Sequence, residues 1–387
     1  MKTRLLSVLP LLSLLTAGAL AVAQTPIIPA GGGTSTAIRP DSIGDGGNMY
    51  GYYMGTDAQT RAGGSLLGKV VIAGNPLTWD PTPVNVTCAG KVAFTTFADG
   101  KGAFRISAVN ANGALSLEKD AKRQMETHFE GCSVSASLTG YTSSSIVLTN
   151  RNFRDDPEIG TITLTRSDKS KGTALSRTSE GVAPKAVKLF EKARNDWQSN
   201  NQDRIKASLI EAVTIDPNFA EAWYQLGRQE QASSPQQARE DYAKASAADP
   251  MFIRPVEQLV ILDSQEDKWK DVLTDAARVL ALDPRGSAQI WSAYAGAILK
   301  AYSAGALPLD KLRIGVTSAR NSLALDPLHQ VAGTEQVLAL ILAQEKDYPA
   351  AIGHLKNCLT YVPAGASSDL VKQQIAQLEQ LQAGAAK

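Results

Sequence analysis

Asp-Pro recurs at Asp216-Pro217, Asp249-Pro250, Asp283-Pro284 and Asp326-Pro327, with Val362-Pro363 in the same role, so successive prolines stand 33, 34, 43 and 36 residues apart. The intervening sequence is rich in Ala, Leu, Gln, Glu and Lys at helical spacing. A proline lacks an amide hydrogen and its ring clashes with the preceding turn, so each one ends a helix and lets another begin just after it. A period of this length in helical sequence predicts a solenoid of helix-turn-helix units, each burying its apolar face against the next. Positions 12, 8 and 5 before the prolines support the register: Ile205/Leu209/Ala212, Ala238/Tyr242/Ala245, Val272/Ala276/Val279 and Ala351/Leu355/Cys358. These share one helix face, and small-large-small side chains there suit close packing of paired helices. Gly315/Ala319/Ser322 fill the same positions less well.

The first helices of the pairs carry a second pattern, clearest in Ala220-Glu221-Ala222-Trp223-Tyr224-Gln225-Leu226-Gly227, with weaker versions at Ile290-Trp291 through Ala295 and at Val337-Leu338-Ala339. With Trp, Leu and Gly so spaced, the segment resembles the tetratricopeptide repeat family. Five helix pairs are expected, beginning near residues 184, 218, 251, 285 and 328, and Ser367 to Gln382 reads as a capping helix with Val371, Ile375, Leu378 and Leu381 inward and glutamines opposite. The fourth pair carries about nine extra residues around Tyr302 to Pro308, which predicts a longer inter-helix turn. The resemblance implies a concave groove lined by the first helices, with Glu221, Tyr224, Arg228, Arg254, Glu257, Gln289 and Ser292 facing a bound protein or peptide.

Helical periodicity is absent from residues 65–166. Apolar residues there alternate with polar ones at Leu67/Val70/Ile72, Val84/Val86/Cys88, Phe104/Ile106, Cys132/Val134/Ala136/Leu138, Ile146/Leu148 and Ile162/Leu164. Turn chemistry separates the runs at Gly74-Asn75-Pro76, Asp99-Gly100-Lys101-Gly102 and Gly140-Tyr141. About seven short strands at this spacing predict a small β-sandwich, with Ser116 to His128 as a helix-tolerant insertion. Leu67-Gly68-Lys69-Val70-Val71, Pro83-Val84-Asn85-Val86-Thr87, Ala98 to Phe104 at a central hairpin and Thr139-Gly140-Tyr141 carry a resemblance to the carboxypeptidase regulatory-like domain, a transthyretin-like fold. That resemblance implies a stalk or docking module whose fold is also used for carbohydrate binding, and no catalysis. Cys88 and Cys132 both fall in expected strands, so in an oxidising compartment a Cys88 to Cys132 disulfide is the expected pairing, with Cys358 a buried thiol.

The compartment follows from the start of the chain. Lys2 and Arg4 precede an apolar run from Leu5 to Leu15, and Ala21-Val22-Ala23 supplies small residues before Gln24, which reads as a signal peptide over residues 1–23. Residues 24–64, rich in Gly, Thr, Ser and Pro around the cluster Asn48 to Gly55, read as a disordered linker, and residues 167–183 as a second linker before the array of residues 184–387. The short runs Gly131-Cys132-Ser133-Val134, Gly160 to Leu164 and Ala183-Pro184-Lys185 add a resemblance of nearly the whole mature chain to exported tetratricopeptide proteins of soil bacteria such as acidobacteria.

Charge and chemistry narrow the function. With 39 basic and 38 acidic residues, no global field draws the chain to nucleic acid. Three histidines, His128, His329 and His354, fall on different expected elements without metal-ligand spacing, and no nucleophile motif is present. Gly63 through Gly68-Lys69 has the spacing of a phosphate loop, but Val70 stands where a magnesium-binding hydroxyl is needed and a strand follows instead of a helix. No catalytic residue, cofactor or metal is expected. The sequence therefore predicts a β-sandwich joined to an all-α solenoid, acting in the periplasm or outside the cell as a non-catalytic protein- or peptide-binding scaffold. The alternative is carbohydrate binding by the sandwich with the repeats as an assembly module.

Overall fold

The computed structural model describes residues 65–73, 79–107, 129, 131–148, 157–176, 181–198, 201–327, 329–331, 333–362 and 365–385. The signal segment, the 24–64 linker, the expected 116–128 helix, His128 and the Gly74-Asn75-Pro76 turn lie outside these. The described residues form two compact units, one holding Pro217–Lys387 with Ser176–Val182, the other holding the strands with Ala183–Asp216.

Among its described residues the strand-bearing unit contains eight strands: β1 Ser65–Ile72, β2 Thr82–Cys88, β3 Lys91–Ala98, β4 Ala103–Ser107, β5 Cys132–Ala136, β6 Tyr141–Ser143, β7 Ser145–Val147 and β8 Glu158–Arg166. They make two four-stranded sheets, ordered β4-β1-β8-β6 and β3-β2-β5-β7. All pairs are antiparallel except β1 with β8. Alternate residues of both sheets enclose one core, including Leu66, Val70, Val84, Val86, Phe104, Ile106, Val134, Ile162 and Leu164. Two four-stranded layers over a shared interior are a β-sandwich.

Three local expectations change here. In β1 the inward side chain is Leu66, whereas Leu67 is partly exposed beside a register shift at Leu67/Gly68. Gly68 then takes an inward position beneath the Phe104 ring, where a Cβ would stand 2.3 Å from Cζ. The strand β3 is an addition: it pairs antiparallel with β2, with Ala98 buried, and it is joined to β2 by Ala89 and Gly90, both at positive φ. Finally, the turn Asp99 to Gly102 closes no hairpin, because β3 pairs with β2 in one sheet and β4 with β1 in the other. The Asp99 carboxylate accepts hydrogen bonds from the Lys101 and Ala103 amides, each at 2.8 Å, and so fixes a corner between the layers.

Cys88 and Cys132 are disulfide-bonded, as directly opposed partners on β2 and β5. The composition of residues 167–175 suggests linker, yet Ser167, Ser170, Thr173 and Ala174 are buried. Thr173 backbone and the Gly172 carbonyl lie so close to Gly140 that a Cβ there would come within 2.5 Å. Two described helices also belong to this unit, α1 Pro184–Gln198 and α2 Gln202–Ile215. Trp79 stacks on Phe190 of α1 with centroids 4.8 Å apart, and Arg194 of α1 donates to the Gly100 carbonyl at 2.7 Å.

The second unit is an array of helices: α3 Ala220–Glu230, α4 Pro235–Ala248, α5 Ile253–Gln265, α6 Trp269–Leu282, α7 Ala288–Ser303, α8 Leu312–Leu325, α9 Gly333–Gln344, α10 Tyr348–Tyr361 and α11 Ala366–Ala385. The proline-anchored register holds. Ala238, Tyr242, Ala245, Val272, Ala276, Val279, Ala351, Leu355 and Cys358 are all buried. The extra residues of the fourth pair lengthen α7 to 16 residues and add a short 3-10 turn, Leu309–Lys311, before α8. The capping helix buries Val371, Ile375 and Leu378 as expected, but Gln374 is buried as well, accepting a hydrogen bond from Gln336 at 3.0 Å.

The aspartates before the prolines have their own role. Asp249 and Asp283 each end a helix by donating a backbone N–H to the carbonyl four residues back. Their carboxylates turn forward to the Met251 and Arg285 amides, both at 3.0 Å. Asp326 likewise accepts from the Gln330 and Val331 amides at 2.9 and 2.6 Å. A carboxylate that satisfies orphan amides stabilises the turn as the proline stops the helix.

Candidate functional site

Helix α3 carries Glu221, Gln225 and Arg228 along one face at i, i+4 and i+7, with Tyr224 beside them. Trp223 is held off this face, its indole donating to the Pro217 carbonyl at 2.9 Å and its ring lying 4.2 Å below the Lys244 ammonium. Gly227 lets α4 approach: a Cβ would stand 2.8 Å from the Tyr242 ring and 3.1 Å from the Ala238 carbonyl.

Of the seven residues named from sequence, the structure brings four together. Glu221, Arg254 and Glu257 each lie near enough to Tyr224, from α3 and α5, to act on its phenol electrostatically. Their exposures differ from that of a solvated row, however. Tyr224 is only 3% exposed, with its ring 5.3 Å from Phe252 and 5.9 Å from Tyr242, in the apolar core between the helices. Burial pushes its phenol well above the ordinary tyrosine range, with the Arg254 charge opposing. Glu221 is 8% exposed and accepts from Gln225 Nε2 at 3.5 Å, while Arg254 and Glu257 are half-buried. Arg228 is half-buried near Tyr242.

Gln289 and Ser292 lie on α7. Gln289 is exposed, but Ser292 is 1% exposed and accepts from Thr334 at 2.9 Å. Thr334 in turn meets Ser322 at 3.1 Å, and Ser322 donates to the Ala288 carbonyl at 2.7 Å. Ser292 thus begins a buried hydroxyl chain joining α7, α8 and α9, and its side chain is turned into the array.

Glu257 is the most perturbed carboxylate of the group. Burial raises its pKa to about 7 against the pull of Arg254, and Asp283 raises it further. Its Oε1 is buried without a hydrogen-bond partner, as is Oε1 of the fully buried Gln225. Sequence reading passed over Gln225, although its place between Glu221 and Arg228 on the helical wheel was available. A second charged cluster was also missed: Arg239 pairs with Asp263 and, at 2.7 Å, with Glu266, which Lys268 meets at 2.6 Å. Burial raises the Asp263 carboxyl and Arg239 opposes that shift.

Two of the histidines that the sequence scatters meet one buried carboxylate. Glu335 lies 2.5 Å from His354 Nδ1 and 4.0 Å from His329 Nδ1, and His329 stacks on Tyr361 at 4.1 Å. Among the described residues no group of His, Cys, Asp or Glu has the geometry to hold a metal ion. Cys358 is buried, and burial raises its thiol to about 11, with Glu335 adding to the shift. No described helix is long and apolar enough to cross a membrane.

No family model matches the chain, and no curated protein sequence matches it either. Similar solved structures include tetratricopeptide proteins. They include YrrB, described as a TPR protein with an unusual peptide-binding site, at 16% identity over 49% of this chain and 91% of that one, with a TM-score of 0.41. PilF of Pseudomonas aeruginosa aligns at 19% identity over 52% and 87%, with a TM-score of 0.39. A double mutant of MamA aligns at 16% identity over 50% and 98%, also with a TM-score of 0.39.

Proposed function

We propose that this chain is a non-catalytic scaffold of the tetratricopeptide type that binds a protein or peptide along the first helices of its array, and that it works outside the cytoplasm. The placement of Glu221, Arg254 and Glu257 about Tyr224, from two successive first helices, supports this reading. Polar groups set around an aromatic core at one place can orient a ligand, whereas scattered surface charges cannot. Rigid paired helices hold the groups in place before the ligand arrives, which lowers the entropic cost of association.

The β-sandwich, whose likeness to the carboxypeptidase regulatory-like domain comes from its sequence, serves in this reading as the docking module. Export follows from the basic-apolar-small order of residues 1–23 and from a disulfide that persists in oxidising compartments.

Crosslinking in the native cell followed by mass spectrometry tests the proposal. A partner should be captured by the wild-type chain and lost on Arg254→Glu combined with Gln289→Ala, with helical circular dichroism unchanged. Capture unaffected by those substitutions would place the site elsewhere, and retention of a glycan by both proteins would move the function to the sandwich.

A further inference from the structure

Glu335, His329 and His354 form a cluster of titratable groups that the groove does not use. They come from three places in the array: Glu335 from the first turn of α9, His354 from α10, and His329 from the chain between α8 and α9. Glu335 is 4% exposed, whereas the side chains of His329 and His354 keep 24% and 28% of their surface open, so solvent protons reach both rings. An ionised carboxylate only accepts hydrogen bonds, so at 2.5 Å the His354 Nδ1–H donates to Oε2 of Glu335. His329 Nδ1 stands 4.0 Å from Oε1, beyond hydrogen-bond reach. Its ring is set there by the stack on Tyr361 and by a left-handed backbone at φ 51°, uncommon for a residue other than glycine.

We propose that Glu335 and His354 form a proton-strengthened clamp between α9 and α10, with His329 as its second imidazole, so that the end of the array tightens in mildly acid surroundings and relaxes towards pH 8. Imidazole is the ordinary side chain that changes charge between pH 5 and 8. Charged, His354 makes a bond to Glu335 in which donor and acceptor are both ionised; neutral, it still donates Nδ1–H, but the bond is weaker. The charged form therefore gains more from folding, and this contribution is present in acid and is lost as pH rises. At His329 only charge acts across the gap. One carboxylate balances one imidazolium, and the shorter contact gives that place to His354.

The neighbouring charged groups leave the sign unchanged. Cys358, one turn beyond His354 on α10, faces Glu335, and with its thiol pushed up to about 11 it stays neutral over this range. From α8, Asp326 has both carboxylate oxygens engaged by the Gln330 and Val331 amides, and from α11, Glu379 is engaged by Lys356. Helix α7 meets α9 through the uncharged pair Ser292 and Thr334. The clamp does not depend on which partner the groove binds.

Hydrogen exchange of the full chain at pH 5.5 and pH 8, corrected for the intrinsic rate at each pH, tests this segment by segment. A local readout is needed because Glu257 on α5, with its carboxyl at about 7, changes charge in the same range and in the same direction. The wild-type chain should protect the Gln330 and Val331 amides and the first turns of α9 and α10 about tenfold more at pH 5.5, the scale by which a charge-assisted bond exceeds a neutral one. Glu335→Gln, which keeps an acceptor for His354, should abolish that ratio and leave protection at its pH 8 level throughout. His354→Gln should do the same, and His329→Gln should lower the ratio at Gln330 and Val331 alone. Wild-type protection that does not change with pH overturns the clamp, as does a ratio that survives both Glu335→Gln and His354→Gln. Equal loss of protection at both pH values in those variants would mark a purely structural contact and overturns it too.

Discussion

At the scale of single residues, glycine separates packing from propensity. Gly227 lies against the Tyr242 ring and the Ala238 backbone carbonyl, so a larger side chain must push α3 away from α4. Gly227→Leu is expected to lower the unfolding free energy by about 1–3 kcal/mol, the usual cost of overpacking a tight contact. Gly353 sits in the middle of α10, exposed and with nothing near its missing Cβ. There Gly353→Ala should raise stability by about 0.5–1 kcal/mol, because alanine loses less backbone freedom on folding. Urea titrations of the two variants should therefore move in opposite directions; a shared sign would mean that the α3/α4 register is misassigned.

Glu257 gives a residue-scale prediction of pH dependence. Its folded pKa of about 7 lies above the ordinary glutamate value, so the folded state holds the proton more tightly than the unfolded chain. Stability from this group is complete below the unfolded pKa and is lost as pH rises through about 7. Replacing it with the neutral isostere should consequently stabilise the chain at pH 8 by about 1–3 kcal/mol and leave it little changed at pH 4. Chemical denaturation of Glu257→Gln at both values checks the sign.

At the scale of elements, much of the helical half was legible because proline acts locally. An absent amide hydrogen ends a helix whatever surrounds it, so the spacing of prolines alone recovers the helix pairs and the inward face of each second helix. The aspartates were harder to read, since their carboxylates act on amides two to five residues ahead and only the folded turn shows the bond. Asp283→Ala should loosen the α6–α7 turn and cost about 1 kcal/mol, the scale of a lost cap, whereas Asp283→Asn, which keeps one acceptor oxygen, should cost less. Hydrogen exchange at the Arg285 amide reports this directly. Strand β3 escaped notice because strict alternation of apolar residues is the signal for a strand, and here they fall at Val92, Ala93, Phe94, Phe97 and Ala98 without alternating. The site was legible only as a set of positions. Helical spacing names Glu221, Tyr224 and Arg228 together, but it cannot tell that Tyr224 turns into the core or that Ser292 is occupied by Thr334, because both depend on neighbouring helices more than twenty residues away in one case and forty in the other.

At the scale of the whole molecule, the chain divides where sequence would not place a boundary. The periodicity from residue 184 onward groups α1 and α2 with the later helices, yet these two belong to the compact unit that holds the sheets. The reason lies in Trp79, which stacks on Phe190 and stands 6.0 Å from Trp197, and in the Arg194 bond to the Gly100 carbonyl. Aromatic burial of this kind is worth more than the small-residue contacts that join repeat helices. If α1 and α2 fold as part of the sandwich, they should share its response to loss of the Cys88–Cys132 bond. That bond closes a loop spanning 44 residues, and its removal should cost the strand unit up to about 4 kcal/mol on a chain-entropy view. Hydrogen exchange of the Cys88→Ala, Cys132→Ala double variant should then show α1 and α2 losing protection in step with β2, β5 and β8, while α5 through α10 keep theirs. Protection of α1 and α2 that instead follows α3 and α4 would assign the first helix pair to the array, and the aromatic contacts at Trp79 would be incidental to how the molecule divides.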